Sequence, residues 1–192
     1  KIKIDRSLSM QEKAKKIIPG MTQFLSKRPD LWSYGSWPTY FAQAKGSYVW
    51  DLDGNKYIDM SVAGVGTNVL GYADSDVNEA VINIIEKGSN STLNAPEEIE
   101  LSELLINLHD WSGMVRLCRT GAEAMSIAAR IVRTFKRKDK ILFCGYHGWS
   151  DWYVAANLGS GDILKGHVIP GIEPIGVPES MKGTSVAFNY ND

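Results

Sequence analysis

A short segment in the middle of the chain has the residue types and the spacing of an anion-binding turn. Residues 114–118 (MVRLC) are apolar enough to form a strand, and a helix is predicted from Ala122. Gly121 would allow the backbone to turn sharply between them. The first N–H groups of a helix have no partner inside it and carry the positive end of its dipole. The corner therefore predicts a phosphate cradle, and the alternative is an ordinary helix start capped by Thr120.

The end of the next predicted strand carries aromatic rings between glycines. Residues 140–144 (KILFC) are followed by residues 145–149 (GYHGW). In parallel strands joined by a helix, the carboxyl ends meet at one edge of the sheet. Tyr146 would then stack on a flat ring whose phosphate lies at Gly121, and His147 would orient a neighbouring group or move a proton. The alternatives are a histidine satisfied within its own loop and rings that belong to the core.

The elements that must position these corners follow from hydrophobic periodicity. Residues 47–60 (SYVWDLDGNKYIDM) predict a β-hairpin around Asp53 and Gly54. Residues 114–144 predict a strand, a helix and a parallel strand, and residues 185–188 could add one more strand. The predicted helices cover residues 8–18, 74–87 with Asp74 or Asp76 as the cap, 97–108 and 122–137. The helix that ends near residue 87 is expected to bury Val77, Val81, Ile84 and Ile85, and each of the next two helices has an apolar stripe on one face.

Composition sets limits on the class of protein. The chain has 192 residues, 44% hydrophobic and 22% charged, which suits one domain or slightly more. A formal net charge of -1 argues against a nucleic-acid partner. No apolar run is long enough to cross a bilayer, so no membrane association is expected. With Cys118 and Cys144 as the only cysteines there is no disulfide framework, and a cytoplasmic location is the default expectation.

Other chemistries find little support in the residue pattern. His109 and His167 lack partners at metal-ligand spacing, so no metal site is expected. The sequence contains no P-loop, no G-x-G-x-x-G after a strand and no serine in a nucleophile elbow.

The order of these features resembles the class III aminotransferases, which use pyridoxal 5'-phosphate (PLP), and is most similar to the branch that contains glutamate-1-semialdehyde 2,1-aminomutase. The resemblance implies the α/β fold type I of PLP-dependent transferases, the aspartate-aminotransferase-like fold. Residues 1–60 would belong to its small domain, and residues 61–192 would form an incomplete large domain. The matching segments are residues 44–60, 86–105, 114–133 and 138–151.

The resemblance also implies a site and a reaction. The main-chain N–H groups of Gly121 and Ala122 would bind the PLP phosphate, and Tyr146 would stack on its ring. The other implied cofactor-binding residues are Thr120, Glu123, which would lie near the ring, and His147, which would shape the site. The implied reaction moves an amino group between an amino donor and a carbonyl acceptor. A homodimer is implied, with residues 88–96 approaching the partner's active site.

Several departures from the family pattern bear on the reaction. Ala122 lacks the hydroxyl usual at its position, and Arg119 and Thr120 replace the usual Asn-Ser pair. Arg28 aligns with the substrate-binding arginine of aminomutases only with a gap, which favours an aminotransferase, with the aminomutase as the alternative. The catalytic Schiff-base lysine is expected beyond Asp192, so the chain alone is expected to be inactive.

Two further hypotheses remain open on the sequence. One is a non-catalytic fragment of the same fold. The other is an unrelated nucleotide-binding α/β protein, in which Gly121 would make the phosphate turn and Tyr146 would stack on a base.

Overall fold

The computed structural model describes residues 2–61, 63–160, 163–166 and 173–191. The chain divides into two compact units, Lys1–Ser91 and Thr92–Asp192. The first unit contains α1 (Asp5–Ile17), β1 (Phe41–Lys45), β2 (Tyr48–Asp51), β3 (Lys56–Ile58) and α2 (Ser75–Lys87). The second contains α3 (Glu97–Leu108), α4 (Gly121–Lys136), β4 (Ile141–Phe143), α5 (Asp151–Val154), α6 (Asn157–Ser160) and β5 (Ser185–Ala187).

The predicted hairpin is confirmed as the last two strands of an antiparallel β1-β2-β3 sheet. Asp51, with 2% of its surface exposed, organises the turn. Its carboxylate accepts hydrogen bonds from the main-chain N–H groups of Asp53 and Asn55 at 2.9 and 2.8 Å. It also accepts one from the Tyr57 hydroxyl at 2.8 Å. Gly54 occupies the turn with a φ of +86°, which suits glycine.

The first helix begins earlier than predicted because its cap comes from a distant part of the chain. The Asp53 carboxylate accepts hydrogen bonds from the main-chain N–H groups of Arg6 at 3.1 Å and Ser7 at 3.3 Å. Asn55 Nδ2 donates to the Lys3 carbonyl at 2.7 Å. The hairpin turn therefore serves as the N-terminal cap of α1, and no local pattern near residue 5 reveals this.

The second unit is built around a small aromatic core. β4 pairs with β5 in parallel, with Ile141 opposite Ser185 and Phe143 opposite Ala187. Tyr153 is fully buried, and its ring lies 5.0 Å from that of Phe143. The core cluster consists of Ala129, Phe143, Trp152, Tyr153, Val154, Ala156 and Leu164.

The strand predicted at residues 114–118 is wrong. Within the described part of the chain, none of its main-chain groups joins a β-ladder, and the parallel partner of β4 is β5. A strand exists through the hydrogen bonds it makes with a neighbour, and an apolar run without a neighbour stays extended but unpaired.

The predicted helices α2, α3 and α4 are confirmed, but the burial predicted for Val77, Val81 and Ile85 on α2 is wrong, and the apolar stripes of α3 and α4 are largely exposed as well. Periodicity identifies the face of a helix that prefers to leave water, whereas burial requires a second surface against it. The described residues supply no such surface for most of these side chains. The exposed ones include Val77, Val81 and Ile85 on α2, Ile99, Leu101, Leu104 and Leu108 on α3, and Ile131, Val132 and Phe135 on α4.

Candidate functional site

The start of α4 is a complete capping box. Thr120 is extended, with φ -136° and ψ 157°, and its Oγ1 accepts a hydrogen bond from the Glu123 N–H at 3.2 Å. In return, Glu123 Oε2 accepts from the main-chain N–H groups of Arg119 at 3.0 Å and Thr120 at 3.2 Å. The helix cap that the sequence offered as the alternative is therefore present.

The cap leaves two adjacent main-chain N–H groups without an acceptor among the described residues. The Ala124 N–H bonds to the Thr120 carbonyl at 3.0 Å, as the first turn of a helix requires. Across the described residues, no acceptor lies against the N–H of Gly121 or the N–H of Ala122. Both sit at the positive end of a 16-residue helix. The cap and an anion site thus coexist, since they use different N–H groups.

Gly121 is required neither by its backbone nor by its neighbours. Gly121 is the first residue of α4 and its φ lies outside the left-handed region, so the turn into the helix does not use the conformational freedom of glycine. A Cβ added to Gly121 would meet no described atom within 4 Å. A glycine with open space in front of it, beside two unpartnered N–H groups, leaves room for an incoming anion.

The loop after β4 touches this corner. Gly148 has a φ of +97°, and a Cβ placed on it would come within 2.8 Å of the Ala122 Cβ. Ser126 on α4 donates to Ser150 Oγ at 2.9 Å. Although residues 114–118 form no strand, the two predicted corners therefore meet, at Ala122 and Gly148.

Tyr146 and His147 point to different roles within that loop. Tyr146 is 57% exposed, and its ring meets Tyr153 edge to face at 6.0 Å. His147 Nε2 lies 2.8 Å from the Cys144 carbonyl, and its ring stacks on Trp152 at 6.2 Å. His147 is thus the histidine satisfied within its loop, whereas Tyr146 keeps a large accessible surface.

Burial raises the pKa of Tyr153 to about 12, so this phenol stays neutral. Its hydroxyl donates to the Gly145 carbonyl at 3.3 Å. Tyr153 thereby ties the start of the loop to the core while supporting the Tyr146 ring.

A surface groove of about 740 Å³ runs along the first turns of α4. Thr120, Ala122 and Glu123 line it, whereas Gly121, Tyr146 and His147 do not. Sequence reasoning missed Ser126 and Arg130, which also line the groove. Their spacing of four and eight residues from Ala122 puts them on the same helical face, and this signal was available in the sequence.

Nowhere in the described ranges do three His, Cys, Asp or Glu side chains come together as metal ligands would. His109 Nδ1 lies 2.9 Å from the Leu105 carbonyl, and His167 lies outside the described residues. None of the described helices has the length and apolarity needed to cross a bilayer.

Two main-chain N–H donors lie at the start of α4, and the aromatic loop that follows the parallel strand β4 contacts this helix start. The arrangement defines an α/β protein with a candidate cofactor site. The sequence profile described as Aminotransferase class-III matches residues 33–178, so the chain belongs to the class III aminotransferase family. The structural neighbours show the PLP-dependent transferase fold, fold type I, and PLP is the cofactor that the family and these neighbours indicate.

Individual relatives agree with this membership. The chain is 35% identical to a 3-aminobutyryl-CoA aminotransferase of Cloacimonas acidaminovorans (strain Evry), over 100% of this chain and 42% of the relative. It is 35% identical to a glutamate-1-semialdehyde 2,1-aminomutase of Campylobacter hominis, over 93% of this chain and 38% of the relative. The chain therefore spans less than half the length of these curated relatives.

Solved structures give the same result. A transaminase with PLP bound superposes with a TM-score of 0.81 at 26% identity, over 100% of this chain and 43% of that one. An omega-transaminase from Sphaerobacter thermophilus superposes with a TM-score of 0.76 at 26% identity, over 97% of this chain and 42% of that one.

Proposed function

We propose that this chain supplies the phosphate-binding part of a PLP-dependent enzyme that transfers an amino group from an amino donor to a carbonyl acceptor. The observation that carries the proposal is the pair of unpartnered N–H groups at Gly121 and Ala122, with open space in front of Gly121. When bound, PLP supplies an electron-withdrawing ring that stabilises negative charge on the substrate carbon.

The residues of the chain have separate tasks in this proposal. Gly121 and Ala122 hold the phosphate through their main-chain N–H groups, where the helix dipole favours negative charge. Tyr146 offers its exposed ring to the pyridine ring. Thr120 and Glu123 maintain the cap, and His147 fixes the loop through the Cys144 carbonyl.

The choice between aminotransferase and aminomutase turns on Arg28. Its Nε and Nη2 donate to the Asp30 carboxylate at 3.1 and 2.6 Å, and this guanidinium holds the pKa of Asp30 below its usual value. To bind Arg28, a substrate carboxylate would have to replace the carboxylate of Asp30 in this exposed ion pair. This supports transfer between two substrates. The aminomutase reaction is the second candidate, since several relatives of equal identity carry that name.

The proposal extends to assembly and location. The exposed apolar stripes of α2, α3 and α4 support a subunit that meets further protein surface, as a homodimer would provide. Residues 1–60 are proposed as part of the small domain and residues 61–192 as part of the large one. A cytoplasmic location is proposed from the two thiols, Cys118 and Cys144.

A glycine substitution separates binding from folding. We expect Gly121→Ala to weaken PLP binding about tenfold, because the methyl group enters the space that the phosphate needs. Unfolding temperature should hold or rise slightly, because alanine suits a helix better than glycine. PLP titrations followed by fluorescence, and thermal unfolding, measure the two effects.

The control is Gly113→Ala, which also places a methyl group where no described atom lies within 4 Å. It should leave PLP binding unchanged. The proposal fails if Gly121→Ala binds PLP like the wild type, or if pyridoxal without its phosphate binds as tightly as PLP. Tighter binding of a dinucleotide than of PLP would favour the nucleotide-binding alternative.

A further inference from the structure

We infer that Glu123 is a positioning residue, which prepares the phosphate cradle through the main chain without touching the cofactor. The inference rests on the proposed function of Gly121 and Ala122. It differs from the role that the family resemblance implied for Glu123, a position near the cofactor ring.

Most of the main-chain N–H groups around the start of α4 already have acceptors. The N–H groups of residues 119 and 120 both bond to one atom, Glu123 Oε2, at 3.0 and 3.2 Å. The N–H groups of residues 123 and 124 bond to the side chain and the carbonyl of Thr120. From residue 119 to residue 124, only Gly121 and Ala122 keep a main-chain N–H group for an anion. The capping box thus determines which two N–H groups an anion can use.

Glu123 places a negative charge close to the proposed phosphate site. A carboxylate in the turn that receives a phosphate dianion would weaken its binding by like-charge repulsion. Here two N–H groups hold Oε2 on the residue 119–120 side of the turn. A carboxylate at the start of α4 favours phosphate binding only if the order that it gives the main chain outweighs this repulsion.

The hydrogen bonds to Glu123 also restrict the motion of the turn before a ligand binds. A turn held rigid before its ligand arrives loses less conformational entropy on binding. Because residue 122 is alanine, no hydroxyl at that position can add a contact to the phosphate. The main-chain part of binding at the start of α4 therefore depends on how well two N–H groups are oriented, and Glu123 controls that orientation.

Two substitutions separate this role from a direct one. Both hydrogen bonds end on a single oxygen, so the amide oxygen of Glu123→Gln can accept both while the negative charge is lost. We expect Glu123→Gln to bind PLP as tightly as the wild type or up to a few-fold tighter. Glu123→Ala frees the turn, and we expect about tenfold weaker PLP binding and a smaller preference for PLP over pyridoxal.

The measurement uses the full 192-residue chain, with PLP, pyridoxal and inorganic phosphate as probes. Asp74→Ala is the matched control, because Asp74 caps α2 through the Asp76 and Val77 N–H groups, both at 3.1 Å. It removes a helix cap of the same kind from the other unit, and the preference for PLP over pyridoxal should be unchanged. This control distinguishes a general loss of stability from a loss of the cradle.

The possible outcomes distinguish a failure of the proposed function from a failure of the positioning role of Glu123. If the wild type shows no preference for PLP over pyridoxal, the proposed function fails together with the cradle. If the wild type shows the preference and Glu123→Ala retains it, only the positioning role is overturned. Weakening by Glu123→Gln as large as that expected for Glu123→Ala would also overturn it. Should Glu123→Ala not fold, the Gln comparison and amide exchange at Arg119 and Thr120 decide, since slow exchange is expected there only if Oε2 holds them.

Discussion

Gly148 is the residue at which the two corners of the candidate site touch. Its φ of +97° is costly for any residue with a side chain, and a Cβ would come within 2.8 Å of the Ala122 Cβ. We expect Gly148→Ala to destabilise the second unit by about 2–4 kcal/mol through strain and overlap together. Chemical denaturation would measure the loss, and PLP titration should show weaker binding as the loop moves away from α4.

A second glycine in the same loop isolates the contact from the strain. Gly145 has a φ of +86°, but a Cβ there would meet no described atom within 4 Å. Gly145→Ala should therefore cost only the strain, about 1–2 kcal/mol. Equal losses for the two variants would show that the approach of Gly148 to Ala122 does not matter for stability.

At the residue level, the contacts that follow from the types and spacing of neighbouring residues could be predicted, whereas those that depend on how a loop is placed in the fold could not. The spacing of Thr120 and Glu123 is that of a capping box, T-x-x-E, and the structure contains that box. Whether Gly121, Ala122 and Tyr146 bind a cofactor stays a prediction. His147 could not be assigned from sequence, because a ring next to glycine gives no hint that the Cys144 carbonyl three residues back is its partner.

At the level of elements, the hairpin turn depends on a buried carboxylate. Burial raises the pKa of Asp51, but the hydrogen bonds from Asn55 and Tyr57 outweigh that effect and hold it below its usual value. Burial and the Asp51 carboxylate raise the pKa of Tyr57 to about 12. The pair is therefore stabilising only with Asp51 ionised and Tyr57 neutral.

This pair predicts how stability depends on pH. The contribution of Asp51 is present above about pH 4 and is lost as the pH falls through its lowered pKa. The contribution of Tyr57 is complete below about pH 10 and is lost as the pH rises towards 12. Denaturation across pH should show both losses, and Tyr57→Phe should flatten the alkaline one.

Two other tyrosines, Tyr72 and Tyr153, must be considered in the same experiment, because the pKa of each is also raised to about 12. Burial and the Asp59 carboxylate also raise the pKa of Tyr72 to about 12, so Tyr57→Phe removes only part of the alkaline loss. Tyr34→Phe, at an exposed ring, serves as the control and should leave the profile unchanged. An alkaline limb identical in wild type and Tyr57→Phe would contradict the prediction.

Elements whose signals lie within their own residues could be predicted from the sequence, whereas features that depend on distant residues could not. The hairpin, α2 and α3 have their signals inside their own residues, as in Asp74 capping α2. The start of α1 depends on Asp53, far along the chain, and the strand predicted at residues 114–118 depends on a neighbour that the described residues do not supply. Hydrophobic pattern alone cannot tell whether such a neighbour exists.

At the level of the whole molecule, much apolar surface remains in contact with water. On α3, Leu104 and Leu108 are 54% and 67% exposed. We expect the isolated chain to bind a hydrophobic dye and to self-associate as its concentration rises. Replacing Leu104 and Leu108 together by Gln should reduce both effects, as measured by dye fluorescence and sedimentation.

The control for this prediction is Glu103→Gln on the same helix, which changes polarity without removing apolar surface. It should leave dye binding and self-association unchanged. Dye binding that is the same for the double variant and the wild type would mean that α3 is covered in solution. Membership of the α/β class could be predicted from the order of the motifs, whereas exposure of the stripes could not, because periodicity describes one surface and burial needs two.

The pairing of β4 with β5 also limits how early this part of the chain can fold. Ile141 and Ser185 lie roughly forty residues apart, so the ladder closes a long loop, which is slow to form. At translation rates of about 5–20 residues per second, β4 waits on the order of a few seconds for its partner to be synthesised. Throughout that interval the main-chain N–H and C=O groups of residues 141–143 lack the ladder partner that β5 gives them in the folded chain, and Phe143 belongs to this unpaired stretch.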